Sequence, residues 1–137
     1  MAVNASQDIP ELMQRARHTL DAAQILLQND FLPDAISRAY YAAFYAATAL
    51  LHSEGIIVSK HGAVIAQLGQ HFAKSGRLPA TLHRTLIDLF DERQTADYGG
   101  EIFVQEGVEI TYENASNFVA RIEAYLVQQG FLKAATQ

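Results

Sequence analysis

Arg93, Asp97 and Tyr98 form the segment of this sequence whose residue types and spacing are best suited to chemistry. Arg93 continues a stripe of leucines along a predicted helix, so its guanidinium must reach solvent, an acid or a ligand. Asp97 lies four residues further on, where one helical face brings it beside Arg93. The segment therefore predicts either an arginine that reaches a ligand or an Arg–Asp pair that only closes the helix.

A second group of polar and aromatic side chains follows one face of the second predicted helix, at alternating intervals of four and three residues. An ordinary solvent face holds Lys and Glu, whereas this face holds two tyrosines, an arginine and a histidine, which are typical of contact surfaces. We therefore expect either a ligand wall or interface here, or a solvent face that happens to be aromatic. The members are Asp34, Arg38, Tyr41, Tyr45, Thr48 and His52.

His61 is a separate candidate, because it lies at the predicted start of the third helix. The N-terminus of a helix favours an anion and disfavours a positive charge, so His61 is a candidate anion ligand. The plainer alternative is a capping or exposed histidine.

Five helices are predicted to position these side chains, and no strand pair is needed. Asp8 is the expected cap of the first helix, with Pro10 in its first turn, and Ser59 is the expected cap of the third. The stretch between Gly99 and Ile110 is predicted to be a loop, briefly extended near Phe103. The short connections indicate an all-α, up-and-down antiparallel bundle of about five helices in a single domain, residues 1–137. The predicted helices span 9–28, 33–53, 60–74, 80–95 and 112–129.

Composition excludes several classes of site. The 137 residues include no cysteine, which excludes disulfides, thiolate metal sites and cysteine nucleophiles, and the formal net charge of -5 argues against nucleic-acid binding through the overall field. The charge is uneven, since no acid lies between Glu54 and Asp88 while acids dominate from Asp88 to Glu113. This indicates two faces that pair within the fold or across a dimer, or a basic strip for a polyanion. With no signal peptide, membrane span, metal-ligand spacing or cofactor motif, we expect a cytoplasmic protein without a metal or cofactor.

Four segments of the chain resemble the HEPN (higher eukaryotes and prokaryotes nucleotide-binding) superfamily, in its small stand-alone prokaryotic branch. The resemblance covers essentially the whole chain, and the segment on the second helix is its most specific part. It implies a helical bundle that forms a homodimer, a toxin-side role beside a minimal nucleotidyltransferase antitoxin, and a nucleotide or RNA as ligand. The segments are Ser37–Ala47 (SRAYYAAFYAA), Gly55-Ile56, Ser59-Lys60-His61 and Arg93–Tyr98 (RQTADY).

The sequence departs from the family at the site of catalysis. Active members resemble metal-independent RNases that carry an arginine followed after four to six residues by a histidine, whereas here Tyr98 stands at that place and no histidine follows Arg93. Tyrosine is a poor base near neutral pH, while Arg93 can still bind phosphate. We therefore expect binding of nucleotide, RNA or a partner protein through a dimer cleft, without cleavage. The expected binding residues are Arg38, Tyr41, Tyr45, His61, Arg93, Asp97 and Tyr98.

Two alternatives stay open. One is a divergent metal-independent RNase toxin, in which the catalytic candidates Arg93, Asp97 and Tyr98 act together or Arg93 acts with a histidine from another helix, such as His61 or His52. The other is a purely structural dimerisation module, in which the tyrosines of the second helix form the seam.

Overall fold

The computed structural model describes residues 5–99 and 102–134, and all regular structure within these ranges is helical. The prediction of an all-α bundle is therefore confirmed. None of the helices in the described part of the chain is both long and apolar enough to cross a membrane. The helices are α1 (Ala5–Gln28), α2 (Leu32–His52), α3 (His61–Leu68), α4 (Ala80–Tyr98) and α5 (Gln105–Gln128).

Helix α2 is the centre of the bundle and packs against each of the other four helices. Its many alanines have no bulky side chains, so neighbouring helices approach it closely from several directions. Between Ala42 and Leu51 every residue except Tyr45 is buried. The prediction that Thr48 belongs to a polar-aromatic face of this helix is therefore wrong. Thr48 is buried, and its hydroxyl donates a hydrogen bond to the Phe44 carbonyl at 2.8 Å.

Helix α5 begins at Gln105, seven residues before the predicted start at Tyr112. The predicted loop is wrong here because tertiary packing overrides a weak local pattern: Val108 is buried in a small cluster with Leu27 and Ile36. Glu106 in the first turn also suits the positive end of the helix dipole. This packing ties the start of α5 to the α1–α2 hairpin.

The other helix boundaries differ from the predictions in smaller ways. Helix α1 begins at Ala5, so Pro10 lies inside the helix instead of in a first turn capped by Asp8. The N-cap of α3 is Lys60 in extended conformation, without a side-chain capping bond, so Ser59 is not the cap. Helix α4 runs to Tyr98 instead of ending at Thr95, which keeps Arg93 and Asp97 on one helical face.

Helix α3 continues into a single π-helical turn, Gly69–Ala73, where an unbroken α-helix is predicted. The ring of His83 from α4 lies against Gly69 at this junction, and its Nε2–H donates to the Ile65 carbonyl at 3.0 Å. A side chain that bonds to a helix carbonyl in this way perturbs the regular ladder of the helix. The contact fixes α3, and so His61 at its start, relative to α4.

Candidate functional site

Arg93 reaches from α4 across to the aromatic side chains of α2. Its guanidinium carbon lies 5.2 Å from the centre of the Tyr41 ring and 5.9 Å from that of Tyr40. A guanidinium at this distance is attracted by the negative face of an aromatic ring. Arg93 therefore does not simply extend into solvent from the leucine stripe, because two tyrosines hold it against the bundle.

Asp97 satisfies Arg93 only in part. Nε of Arg93 lies 2.7 Å from Oδ2 of Asp97, one helical turn away, and both side chains are partly exposed. Yet Nε is buried and has no hydrogen-bond partner of acceptable geometry among the described residues. The contact is thus an ion pair with a poorly aligned N–H, and the guanidinium keeps donors that an anion can accept.

His61 enters the same site from the start of α3. Its ring stacks on Phe44 at 4.5 Å between ring centres, and it meets the edge of Tyr41 at 5.7 Å. Nδ1 lies 2.5 Å from the Tyr40 hydroxyl. Burial and the positive charge of Arg93 lower the pKa of His61, so the imidazole is neutral at pH 7. The structure therefore places a neutral imidazole and an arginine at the same pair of tyrosines.

Tyr40 is the residue of this site that the sequence pattern does not reveal. Its position belongs to the core stripe of α2, and the ring is fully buried against Tyr41, Phe44 and Phe90. Burial raises the pKa of its hydroxyl, so the phenol stays neutral. The one available signal is that a buried tyrosine hydroxyl needs a partner, but a sequence cannot say that this partner is His61.

Two of the predicted binding residues lie beside the site. Tyr45 is half-buried one turn along α2 from Tyr41, and the guanidinium carbon of Arg15 lies 5.4 Å from its ring centre. Arg38 is exposed and lines a surface groove of about 350 Å³ together with Tyr41 and Asp34. Both extend the surface around Arg93 along α2, with a second arginine–tyrosine pair at one end.

Tyr98 and His52 lie away from the cluster that Arg93, Tyr40, Tyr41 and His61 form. Tyr98 is the last residue of α4 and its side chain is 84% exposed. His52 lies near Asp8, with Nδ1 3.9 Å from the carboxylate, and burial lowers the pKa of His52. Since the imidazole is then neutral at pH 7, this contact is not an ion pair, and His52 faces α1 rather than Arg93.

Two of the four lysines and arginines between Glu54 and Asp88 form ion pairs within the fold. Arg77 forms an ion pair with Glu54 and donates to the Tyr125 hydroxyl at 2.6 Å. Arg84 pairs with Asp88 one turn along α4 at 3.2 Å. The uneven charge therefore serves contacts inside one molecule at these positions. Within the described ranges, no three His, Asp or Glu side chains come together as metal ligands.

A comparison with known protein families finds a match over the part of the chain that forms the site. The model of the HEPN domain matches residues 9–125, which include every helix that contributes to the site. The chain belongs to the HEPN family. Arg93, Tyr41 and His61 all lie within the matched region, so the cluster is part of the HEPN domain itself.

Known relatives of this HEPN protein cover most of its length. The UPF0332 protein of Thermotoga maritima is 38% identical over 82% of the chain and 81% of its own length. Two proteins of Methanocaldococcus jannaschii, both named as candidate toxins, are 34% and 29% identical over 88% and 97% of the chain, and over 90% and 91% of their own lengths. The family of this chain thus has toxin-like members.

Proposed function

We propose that this HEPN protein is a toxin-like protein that binds RNA through the phosphate site formed by Arg93, Tyr41 and His61, and that it does not cleave the bound strand. The observation that carries the proposal is the half-buried guanidinium of Arg93, which lies over Tyr41 at 5.2 Å beside a neutral imidazole. Arginine offers phosphate paired donors, and aromatic rings next to it can stack with a base.

The electrostatics of the chain favour a local site over a broad binding surface. With a net charge of -5 the molecule as a whole repels a polyanion, so binding must depend on a few well-placed cations. Three arginines lie near the half-buried tyrosines of α2. Arg93 lies over the Tyr41 ring, Arg15 lies over the Tyr45 ring, and Arg38 lines a groove together with Tyr41. A few cations next to two aromatic rings suit a short stretch of single strand better than a duplex.

Binding is favoured over cleavage because the proton chemistry is incomplete. Metal-independent cleavage of RNA needs groups that take a proton from the attacking hydroxyl and give one to the leaving oxygen. His61 is the one imidazole in this cluster, and its Nδ1 already faces the Tyr40 hydroxyl. Tyr98, at the place of the family histidine, is a solvent-exposed phenol.

One observation favours a second candidate function, which is RNA cleavage by Arg93 together with His61. The pKa of His61 is lowered, so a neutral imidazole is available near pH 7 next to a guanidinium that can stabilise the charge of a phosphorane. This pairing would replace the histidine that is missing after Arg93. Asp97 would then act by orienting Arg93.

A binding and cleavage assay with one short, labelled single-stranded RNA separates these functions. Arg93→Ala should abolish binding, whereas Arg84→Ala removes an arginine of the same helix, also paired with an acid one turn away, and should bind like the wild type. Intact RNA in the bound complex supports binding alone. Cleavage that Arg93→Ala and His61→Gln both abolish would establish the second candidate, and equal binding by Arg93→Ala would refute the phosphate site.

The proposal includes two protein partners, a second copy of the chain and a nucleotidyltransferase antitoxin. Its support is the family resemblance and the exposed apolar side chains of Tyr98, Ile102 and Val104, next to the end of the helix that carries Arg93. Large side chains that stay exposed in one molecule are available for contact with a partner. Light scattering should give twice the monomer mass, and Ile102→Lys should reduce it. A monomeric wild type would contradict the dimer.

A further inference from the structure

Among the described residues, the Tyr40 hydroxyl and the His61 imidazole form the one direct side-chain hydrogen bond at this site, at 2.5 Å. Tyr40 is held in place by the core, because its ring is fully buried and packs edge-on against Tyr41 and Phe90. His61 is held between the Phe44 face and this hydroxyl. A rigid donor or acceptor from the core therefore sets the orientation of a half-buried imidazole.

The direction of this hydrogen bond follows from what each group can otherwise satisfy. Both groups are neutral, since burial raises the pKa of Tyr40 and lowers that of His61. The Tyr40 hydroxyl has no other acceptor among the described residues. If the imidazole donated, the hydroxyl proton would be buried without an acceptor, which is costly. The hydroxyl therefore donates to Nδ1, and the imidazole carries its hydrogen on Nε2.

This arrangement leaves the Nε2–H of His61 on the edge of the ring away from the buried hydroxyl. The two ring nitrogens lie on different edges of the imidazole, so with Nδ1 facing the buried hydroxyl, Nε2 faces away from it. Arg93 on α4 is the charged group whose field lowers the pKa of His61. The titratable groups in contact with the His61 ring are Tyr40 and Tyr41 on α2. An anion that reaches both groups can accept hydrogen bonds from the Arg93 guanidinium and from the Nε2–H of His61.

We infer that Tyr40 is a positioning residue: its hydroxyl donates to Nδ1 of His61 and so holds Nε2–H as a second donor to the phosphate that Arg93 binds. The inference rests on the proposed function, because it assigns the phosphate to RNA. It also explains why His61 is poorly prepared to act as a base at Nε2, since that nitrogen already carries a hydrogen. Tyr40 itself does not touch the ligand.

Nitrogen NMR of the imidazoles tests the hydrogen bond in the wild-type protein, with His61→Gln used to assign the signal. The expected result is the Nε2–H tautomer for His61, and an Nδ1–H tautomer would overturn the inference. In Tyr40→Phe the pKa of His61 should rise by about 0.5 to 1, because the neutral form loses an accepted bond. If the imidazole were the donor, the same variant would lower that pKa.

RNA binding tests the positioning role with a matched control. Tyr40→Phe keeps the buried ring and should weaken binding of the labelled RNA by about three- to tenfold. Tyr112→Phe removes a hydroxyl from another half-buried tyrosine, on α5, and should bind like the wild type. Unchanged binding by Tyr40→Phe, with binding lost in Arg93→Ala, overturns the inference and leaves the proposed function standing. Unchanged binding by Arg93→Ala overturns the proposed function, and with it the phosphate role of His61.

Discussion

Arg93 and His61 lie on different helices, yet both contact the rings of the same two neighbours, Tyr40 and Tyr41. The two tyrosines are consecutive in α2, so one ring faces the core while the other faces the site. The hydroxyl of the buried Tyr40 orients the His61 imidazole, and the ring of the half-buried Tyr41 lies against the Arg93 guanidinium. One dipeptide of the central helix therefore brings a cation and an imidazole together.

The ion pair between Arg93 and Asp97 should compete with phosphate for the guanidinium. Asp97→Asn removes the negative charge, so we expect RNA binding to tighten by about two- to fivefold at low salt, with a smaller gain at high salt. Stability should change by less than about 1 kcal/mol because both side chains are partly exposed.

Asp88→Asn is the matched control, because it removes the partner of Arg84 on the same helix and should leave RNA binding unchanged. Fluorescence anisotropy at two salt concentrations measures both variants. Weaker binding by Asp97→Asn would mean that Asp97 orients Arg93 instead of competing for it.

The Tyr41 ring should contribute to RNA binding through its face rather than its hydroxyl. Tyr41→Leu removes the ring below Arg93 and should weaken binding by about 1–3 kcal/mol, the usual value of one base–aromatic stack. Tyr41→Phe keeps the ring and should retain most of the affinity. Equal losses in the two variants, measured by the same anisotropy assay, would show that the hydroxyl is what binds.

The helices of this protein can be predicted from local patterns, whereas the candidate site can be predicted only in part. The stripe spacing identifies all five helices, and the position of Arg93 at the end of a leucine stripe marks it as a residue that needs a partner. The contacts of His61 with Tyr40 are different, because these residues are 21 positions apart and lie on separate helices. No periodicity within one helix reports such a contact.

The start of α5 shows the same limit for secondary structure. Its first five residues, from Gln105 to Glu109, hold a single apolar side chain, Val108, and include Gly107, so they lack an apolar stripe and have weak helix propensity. The helix forms because Val108 packs against Leu27 and Ile36 of the α1–α2 hairpin. Tertiary burial therefore decides a boundary that the local sequence leaves undecided.

Stability should decrease as the pH falls from about 7 to about 5.5, because the folded state disfavours protonated imidazoles. The pKa values of His61 and His52 lie below the value of about 6.5 expected for the unfolded chain. The unfolded chain therefore binds more protons below about pH 6.5, and the stabilisation by neutral histidines is lost as the pH falls towards the folded pKa values.

Replacing one of these histidines should reduce this pH dependence. His61→Gln should give a shallower fall in the free energy of unfolding than the wild type. Urea unfolding followed by circular dichroism at several pH values measures the slopes. A slope that His61→Gln leaves unchanged would contradict the lowered pKa of this residue.

Gly69 and Gly62 lie on the same helical segment and should respond in opposite ways to alanine. A Cβ at Gly69 would lie 2.6 Å and 2.7 Å from ring atoms of His83, closer than real contacts allow. Gly69→Ala should force this ring away from the Ile65 carbonyl and destabilise the protein by about 1–3 kcal/mol. Nothing lies within 4 Å of a Cβ at Gly62, so Gly62→Ala should stabilise α3 by about 0.5–1 kcal/mol.

A double-mutant cycle identifies His83 as the cause of the expected loss at Gly69. In a His83→Ala background the methyl group has room, so Gly69→Ala should become neutral or stabilising, as expected for alanine at a helical backbone position. Thermal unfolding of the four proteins in the cycle gives the coupling energy. If Gly69→Ala is as costly without the His83 ring as with it, the cost must come from the π-helical turn, and the packing of His83 does not explain the glycine.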